Sequence, residues 1–154
     1  MTGPAERLAE LGLTLPPVAA PVAAYVPAVR SGGYVYTSGQ LPTVDGKLPA
    51  VGKVGDEVSA SDAAALARTC ALNALAAAAS AAGGLDQIRR IVKVTGFVAS
   101  AAGFSGQPQV VNGASELLLE VFGEDGKHAR SAVGVAELPL NAPVEVELIA
   151  EVRG

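Results

Sequence analysis

"HARSAVGVAELPLNAPVEVELIAEV", residues His128 to Val152, holds two runs with strand character, Ser131–Ala136 and Val144–Val152, around a turn that contains Pro139 and Pro143. Along the second run Val144, Val146 and Leu148 point one way and Glu145, Glu147 and Ile149 the other. The valine side must pack against helices. The opposite side carries two carboxylates, so it faces water, a ligand or another subunit, because an unpaired buried charge is costly. Arg130 is the candidate partner, but geometry restricts the pairing. A tight hairpin centred on Leu140 sets Arg130 opposite Ala150 and Glu145 opposite Val135, five residues apart, or roughly 17 Å. For the two charges to cooperate, a third strand must separate the runs or one charge must come from a neighbouring chain. Taken alone, a glutamate alternating with valines is the pattern of a solvated face.

Reading outward, Ile88 to Ser100 ("IRRIVKVTGFVAS") is a strand, with Val92, Val94 and Val98 expected on one face and Ile91, Lys93 and Thr95 on the other. After the turn-rich "AAGFSG" (Ala101–Gly106), Pro108 suits a first helical turn, and Val110, Ala114, Leu117, Leu118 and Val121 recur at helical spacing up to Gly123. Upstream, Ser59 to Asp62 reads as an S-x-x-D helix start ahead of Ala63–Ala82, and Gly83-Gly84 suits a left-handed exit. Gly32-Gly33 predicts a turn into a strand at Tyr34–Ser38, and Thr43–Val58 predicts a hairpin-like loop. Pro4–Leu11 is a short amphipathic helix, followed by a proline-rich lead-in. Residues 1–23 are expected to form a surface arm on one domain spanning 1–154. This order of elements predicts an α+β sandwich with two helices on one face of a mostly antiparallel sheet.

The chain has 154 residues, half of them hydrophobic, but only 4% aromatic and no Trp, so its core is built from Ala, Val, Leu and Ile. A net charge of −4 disfavours nucleic acid as a partner. The lone Cys70 excludes an intrachain disulfide, and Glu6, Arg7 and Glu10 interrupt the apolar run a signal peptide needs, so a cytoplasmic address is expected. Ala63–Ala82 is long enough to span a bilayer, but it is mostly Ala and includes Arg68, Thr69 and Asn73, which reads as a helix buried on protein. One histidine and one cysteine do not assemble a usual zinc site.

"YVYTSGQLP" (Tyr34–Pro42) together with "ARSAVGVAELPLNAPVEVELIA" (Ala129–Ala150) resembles the Rid/YjgF family, also called L-PSP endoribonuclease, of enamine/imine deaminases. The likeness covers nearly the whole chain from about Ala24. It implies a chorismate-mutase-like fold assembled as a homotrimer with clefts between subunits, which agrees with the seam argued from the strands. It also implies roles. Arg130 of "A-R-S" grips a substrate carboxylate, for which a guanidinium fork is suited. Glu145, opening "E-x-E", handles the attacking water. Ser38 and Gly39 of "T-S-G-Q" line the cleft, Tyr25 of "AAYVPA" borders it, and Ala132 stands where the family often has Cys and acts through its backbone. The implied reaction is hydrolysis of 2-enamine or 2-imino acids, such as 2-aminoacrylate, to 2-keto acids and ammonia, without metal or organic cofactor. The N-terminal arm and the loops at Thr43–Val58 and Ala101–Gly106 are similar to a longer branch of the family.

Two other readings stand beside this one. A trimer that only binds a small carboxylate metabolite needs Arg130 but not Glu145. RNA cleavage, implied by the older family name, fits poorly with an acidic chain holding a single histidine. Cys70 lies at core spacing with Leu66 and Ala74, as packing. His128 is expected in a solvated loop, and Asn112 and Ser115 on the outer side of their helix, facing a cleft or water.

Overall fold

Ser59 starts the long helix as its pattern requires, accepting a hydrogen bond from the Asp62 backbone N–H (3.1 Å), and Gly83 ends it in the left-handed region at φ 89°. The computed structural model describes residues 2–21 and 23–154. The helices are α1 (Pro4–Glu10), α2 (Ala60–Ala82) and α3 (Gln107–Phe122), and the strands are β1 (Ala28–Ser31), β2 (Tyr34–Thr37), β3 (Ile88–Ala99), β4 (Ala129–Val135) and β5 (Val144–Val152). α2 is long and apolar enough to cross a membrane, yet 67% of its apolar window is buried within this fold. Its alanines permit close approach to α3, where Gly113 sits directly against the Ala64 carbonyl.

The α+β architecture is the expected one. The five strands run in the order β1-β2-β5-β3-β4, antiparallel throughout except for β3 and β4. That parallel pair is connected through α3, the crossover such a pair needs. On β5 the residues Val144, Val146, Leu148, Ala150 and Val152 are buried under the helices while those between them are half-buried. The core is completed by Leu75, Ile88, Ile91, Leu117 and Leu118, all fully buried. Among the described residues no helix covers the far side of the sheet, and Val29, Tyr34, Tyr36 and Val133 stand exposed there.

Three expectations need correction. β1 was hidden by its proline-rich approach, but it forms a hairpin with β2 across Gly32-Gly33. In β3, Val92 does not share a face with Val94 and Val98. Register shifts between Ile88 and Arg90 and between Ile91 and Lys93 insert bulges, so Ile88, Ile91 and Val94 all point into the core. The segment 1–23 is not wholly a surface arm: Leu8 is 4% exposed, Leu13 and Leu15 pack on the core, and the Arg7 Nε–H donates to the Glu120 carbonyl. The Thr43–Val58 loop holds the expected hairpin, Val44 bridging to Lys47, and it is anchored to the core. Val54 and Val58 are core residues, Val54 bridges to Ser100, and the Asn73 amide donates to the carbonyls of Leu41 (2.9 Å) and Thr43 (3.1 Å).

Candidate functional site

β4 begins at Ala129, and alternation sets His128, Arg130 and Ala132 on one side of it. Arg130 pairs with Val94, and Val94 with Leu148. Both partners lie beneath the helices, so the Arg130 side chain rises on the helix side at the sheet edge. There α3 receives it. Arg130 Nη1 donates to Asn112 Oδ1 (2.8 Å) and Ser115 Oγ (3.2 Å), and Nη2 lies 3.4 Å from the Pro108 carbonyl. His128 joins the network, its ring nitrogens meeting Ser115 Oγ at 2.9 Å and the Gly126 carbonyl at 2.6 Å. A cavity of 260 Å³ lined by Ser115, Leu119, Lys127, His128 and Arg130 opens beside it. Among the described residues the ion pairs are Lys53–Glu137, Arg68–Glu120, Arg89–Glu151 and Lys127–Glu124, so Arg130 is held by neutral acceptors alone. A guanidinium fixed in this way, with its charge uncompensated, can receive an anion.

The second group of expected residues gathers where β2 parts from β5. Thr37 Oγ1 accepts from the Leu148 N–H (3.0 Å) in place of a strand carbonyl, and pairing resumes only with the bridge between Gln40 and Val146. Ser38 and Gly39 fill the gap. The Glu145 carboxylate sits where a side chain at residue 39 would be: a Cβ there would lie 2.7 Å from Glu145 Cδ. This close approach requires glycine. The Ser38 hydroxyl donates to the Val26 carbonyl (2.6 Å), which ties in the segment carrying Tyr25, whose side chain is 46% exposed. Partial burial, and then the charge of Glu147, push the Glu145 carboxyl above its ordinary range. Below the sheet, Cys70 is fully buried, with its thiol pushed well up by burial and next by Glu145, which makes it packing and not a nucleophile.

The structure therefore brings Gly39 against Glu145, with Ser38 beside it and Tyr25 one residue from the Val26 carbonyl that Ser38 binds, and sets Arg130 and Ala132 on another strand, but within one chain the groups remain apart. β3 lies between β4 and β5, so the hairpin excluded on distance is absent. Glu145 is level with Phe97 and Arg130 with Val94, and their side chains leave opposite faces of the sheet. Sequence reasoning missed the network around Arg130. Its signals were present: His-x-Arg spacing puts both residues on one side of a strand, and Asn112 and Ser115 are neighbours on one helix face.

A family model described as YjgF/chorismate mutase-like, putative endoribonuclease, matches residues 5–152. Protein TCP17 of Trypanosoma cruzi is 45% identical over 97% of this chain and 94% of its own length. Protein mmf1, mitochondrial, of Schizosaccharomyces pombe is 33% identical over 82% of this chain and 67% of its own. That relative's mitochondrial name overturns the cytoplasmic expectation, which rested on one cysteine and the charges of the first residues, neither of which reports an organelle. A crystal structure described as a putative endoribonuclease from Shewanella oneidensis superimposes with a TM-score of 0.94, at 38% identity over 98% of this chain and all of that one. The structure of E. coli TdcF with bound serine matches with a TM-score of 0.64, at 29% identity over 91% of this chain and 94% of that one.

Proposed function

The chain belongs to the YjgF/chorismate mutase-like family, and on that footing we propose that it is an enamine/imine deaminase working at clefts between the subunits of a homotrimer. The observation that carries this reading is the Arg130 guanidinium, fixed by Asn112, Ser115 and Pro108 with no carboxylate to neutralise it. The small anion it fits is the carboxylate of a 2-imino acid. The apolar, helix-free sheet face bearing Tyr34, Tyr36 and Val133 supports assembly. Assembly also supplies what one chain lacks, because Glu145 of a neighbouring subunit can approach Arg130 although a chain's own Glu145 does not.

In such a cleft Arg130 orients the substrate carboxylate, and Glu145 takes a proton from water as the water oxygen bonds to the imine carbon. Glu145 returns that proton to the nitrogen. As the carbinolamine collapses, Glu145 carries its hydroxyl proton to the nitrogen, the C=O bond forms and the C–N bond breaks, giving a 2-keto acid and ammonia. The raised carboxyl of Glu145 supports this role, because a general base works best with its pKa near the working pH. Ser38, Gly39 and Tyr25 line the Glu145 side and Ala132 the Arg130 side. The chemistry calls for no metal or organic cofactor. The serine in the TdcF structure favours a second reading, a binder of small carboxylate metabolites without turnover. RNA cleavage is disfavoured by the net charge of −4 and the single histidine.

The test is release of pyruvate and ammonia from enzymatically generated 2-aminoacrylate. The wild type accelerates it over buffer, and Arg130→Ala and Glu145→Gln do not. A wild type that binds pyruvate but runs at the buffer rate leaves the binder reading.

A further inference from the structure

Arg130 does not orient itself. Nη1 carries two hydrogens, and Asn112 Oδ1 and Ser115 Oγ accept from it. A fork presented end-on needs one hydrogen from each terminal nitrogen, so that mode is closed. Nε meets no acceptor among the described residues, and Nη2 has only the long 3.4 Å contact to Pro108. The Nε–Nη2 edge therefore remains for a carboxylate.

What keeps Ser115 an acceptor toward Arg130 is His128. The Gly126 carbonyl can only accept, so Nδ1 of His128 holds the proton and donates to it (2.6 Å). In the neutral ring Nε2 is then an acceptor, and it takes the Ser115 hydroxyl hydrogen (2.9 Å). That leaves the Ser115 oxygen lone pairs to Arg130. The charged and titratable groups that line cavities together with His128 are Arg130 on β4, Lys127 before it, Arg90 on β3, Glu151 on β5 and Tyr34 on β2. Lys127 is paired with Glu124 and Glu151 with Arg89, so it is the positive charge of Arg130, sharing Ser115 with the ring, that favours an uncharged imidazole. Burial first, and then Arg130, lower the imidazole pKa, against the opposing pull of the Gly126 carbonyl.

We propose that His128, acting through Ser115, is a positioning residue that fixes the Arg130 guanidinium so that its Nε–Nη2 edge receives the substrate carboxylate. This rests on the deaminase reading for the identity of the substrate, but the relay itself is testable without it. The chain has one histidine, so its ring nitrogens give unambiguous signals in a long-range ¹H–¹⁵N spectrum of the full-length wild type. At neutral pH the Nδ1–H tautomer is expected, and the Nε2–H tautomer overturns the relay.

The kinetic arm uses 2-aminoacrylate. Ser115→Ala and His128→Leu are expected to raise KM about tenfold with kcat nearly unchanged, the loss expected for one hydrogen bond to a charged group. His128→Gln, whose amide oxygen accepts the Ser115 hydroxyl, restores KM. An unchanged KM in the first two variants, or a His128→Gln no better than His128→Leu, overturns the proposal. Should the wild type turn over nothing, the dissociation constant for pyruvate replaces KM. Should it bind no pyruvate either, the deaminase reading falls while the tautomer still decides the relay.

Discussion

At Glu145 the proposed role and stability pull against each other. Its carboxyl is raised by burial and by Glu147. A raised carboxyl contributes stability that is fully present below the ordinary carboxylate range and is lost as pH rises through the folded value, so at neutral pH the native state bears a partly desolvated charge. Glu145→Gln removes that cost. Because the group is only half-buried, solvent screening keeps the effect small, and a rise of about 2 °C in Tm at pH 7 is expected by calorimetry. The difference should vanish near pH 3.5, or about one unit below the ordinary carboxylate value, where both side chains are uncharged. A Tm gain that persists at low pH would show packing, not charge, to be the cause. Gly39 makes the complementary test. A methyl group there displaces the Glu145 carboxylate, the far end of a flexible side chain, so Gly39→Ala should fold with nearly unchanged Tm. Turnover of 2-aminoacrylate should fall at least about tenfold, the scale of a catalytic group misplaced by an ångström. An unaltered rate would mean that the carboxylate position does not matter.

The elements divide into those legible in the sequence and those set by tertiary packing. α2 was legible because Ser59 and Gly83 cap it in the chain itself, and α3 because Pro108 and an apolar stripe mark its start and its inner face. β5 was legible because strict alternation survives along its whole length. β3 was legible as a strand but not in its faces, since its bulges move Ile91 to the core side in response to β5, and no local pattern records a partner's register. β1 needed its hairpin partner to become a strand at all. In the site, Arg130 and Glu145 were readable as charges out of place on strands, whereas the hold of Asn112, Ser115 and His128 on Arg130 depends on α3 lying against β4. That helix position is itself set by Gly113. Helix propensity alone predicts that Gly113→Ala stabilises the chain by roughly 1 kcal/mol. The added methyl, however, would meet the Ala64 carbonyl, with the carbonyl carbon 2.7 Å away, and backbone cannot yield as a side chain does. Overpacking should win, with a net loss of about 2 kcal/mol, or about 6 °C in Tm. A thermal scan showing Gly113→Ala at or above wild type would disprove the close α2–α3 contact.

For the whole molecule the decisive fact is that the two halves of the site leave opposite faces of one sheet. No side-chain motion within a chain carries Glu145 through β3 to Arg130. A cyclic assembly resolves this without rearranging the protomer, since each interface can join the β4 edge of one copy to the open face of the next. The consequence is complementation. On the proposed deaminase reading Arg130→Ala chains lack the carboxylate grip and Glu145→Gln chains lack the base, so a homo-oligomer of either should be inactive. In a mixed ring a working site forms wherever a Glu145→Gln chain supplies its intact Arg130 and an Arg130→Ala chain its intact Glu145. Tandem purification leaves only rings that hold both chains, and round a mixed trimer one junction in three meets both conditions, so about a third of wild-type activity should return. Co-expression with two different tags, tandem purification and sedimentation analysis check the composition, and pyruvate release from 2-aminoacrylate reads the activity. Mixed oligomers as inactive as their parents would mean that Arg130 and Glu145 never share a site, and a chain sedimenting as a monomer would remove the seam on which the shared site depends.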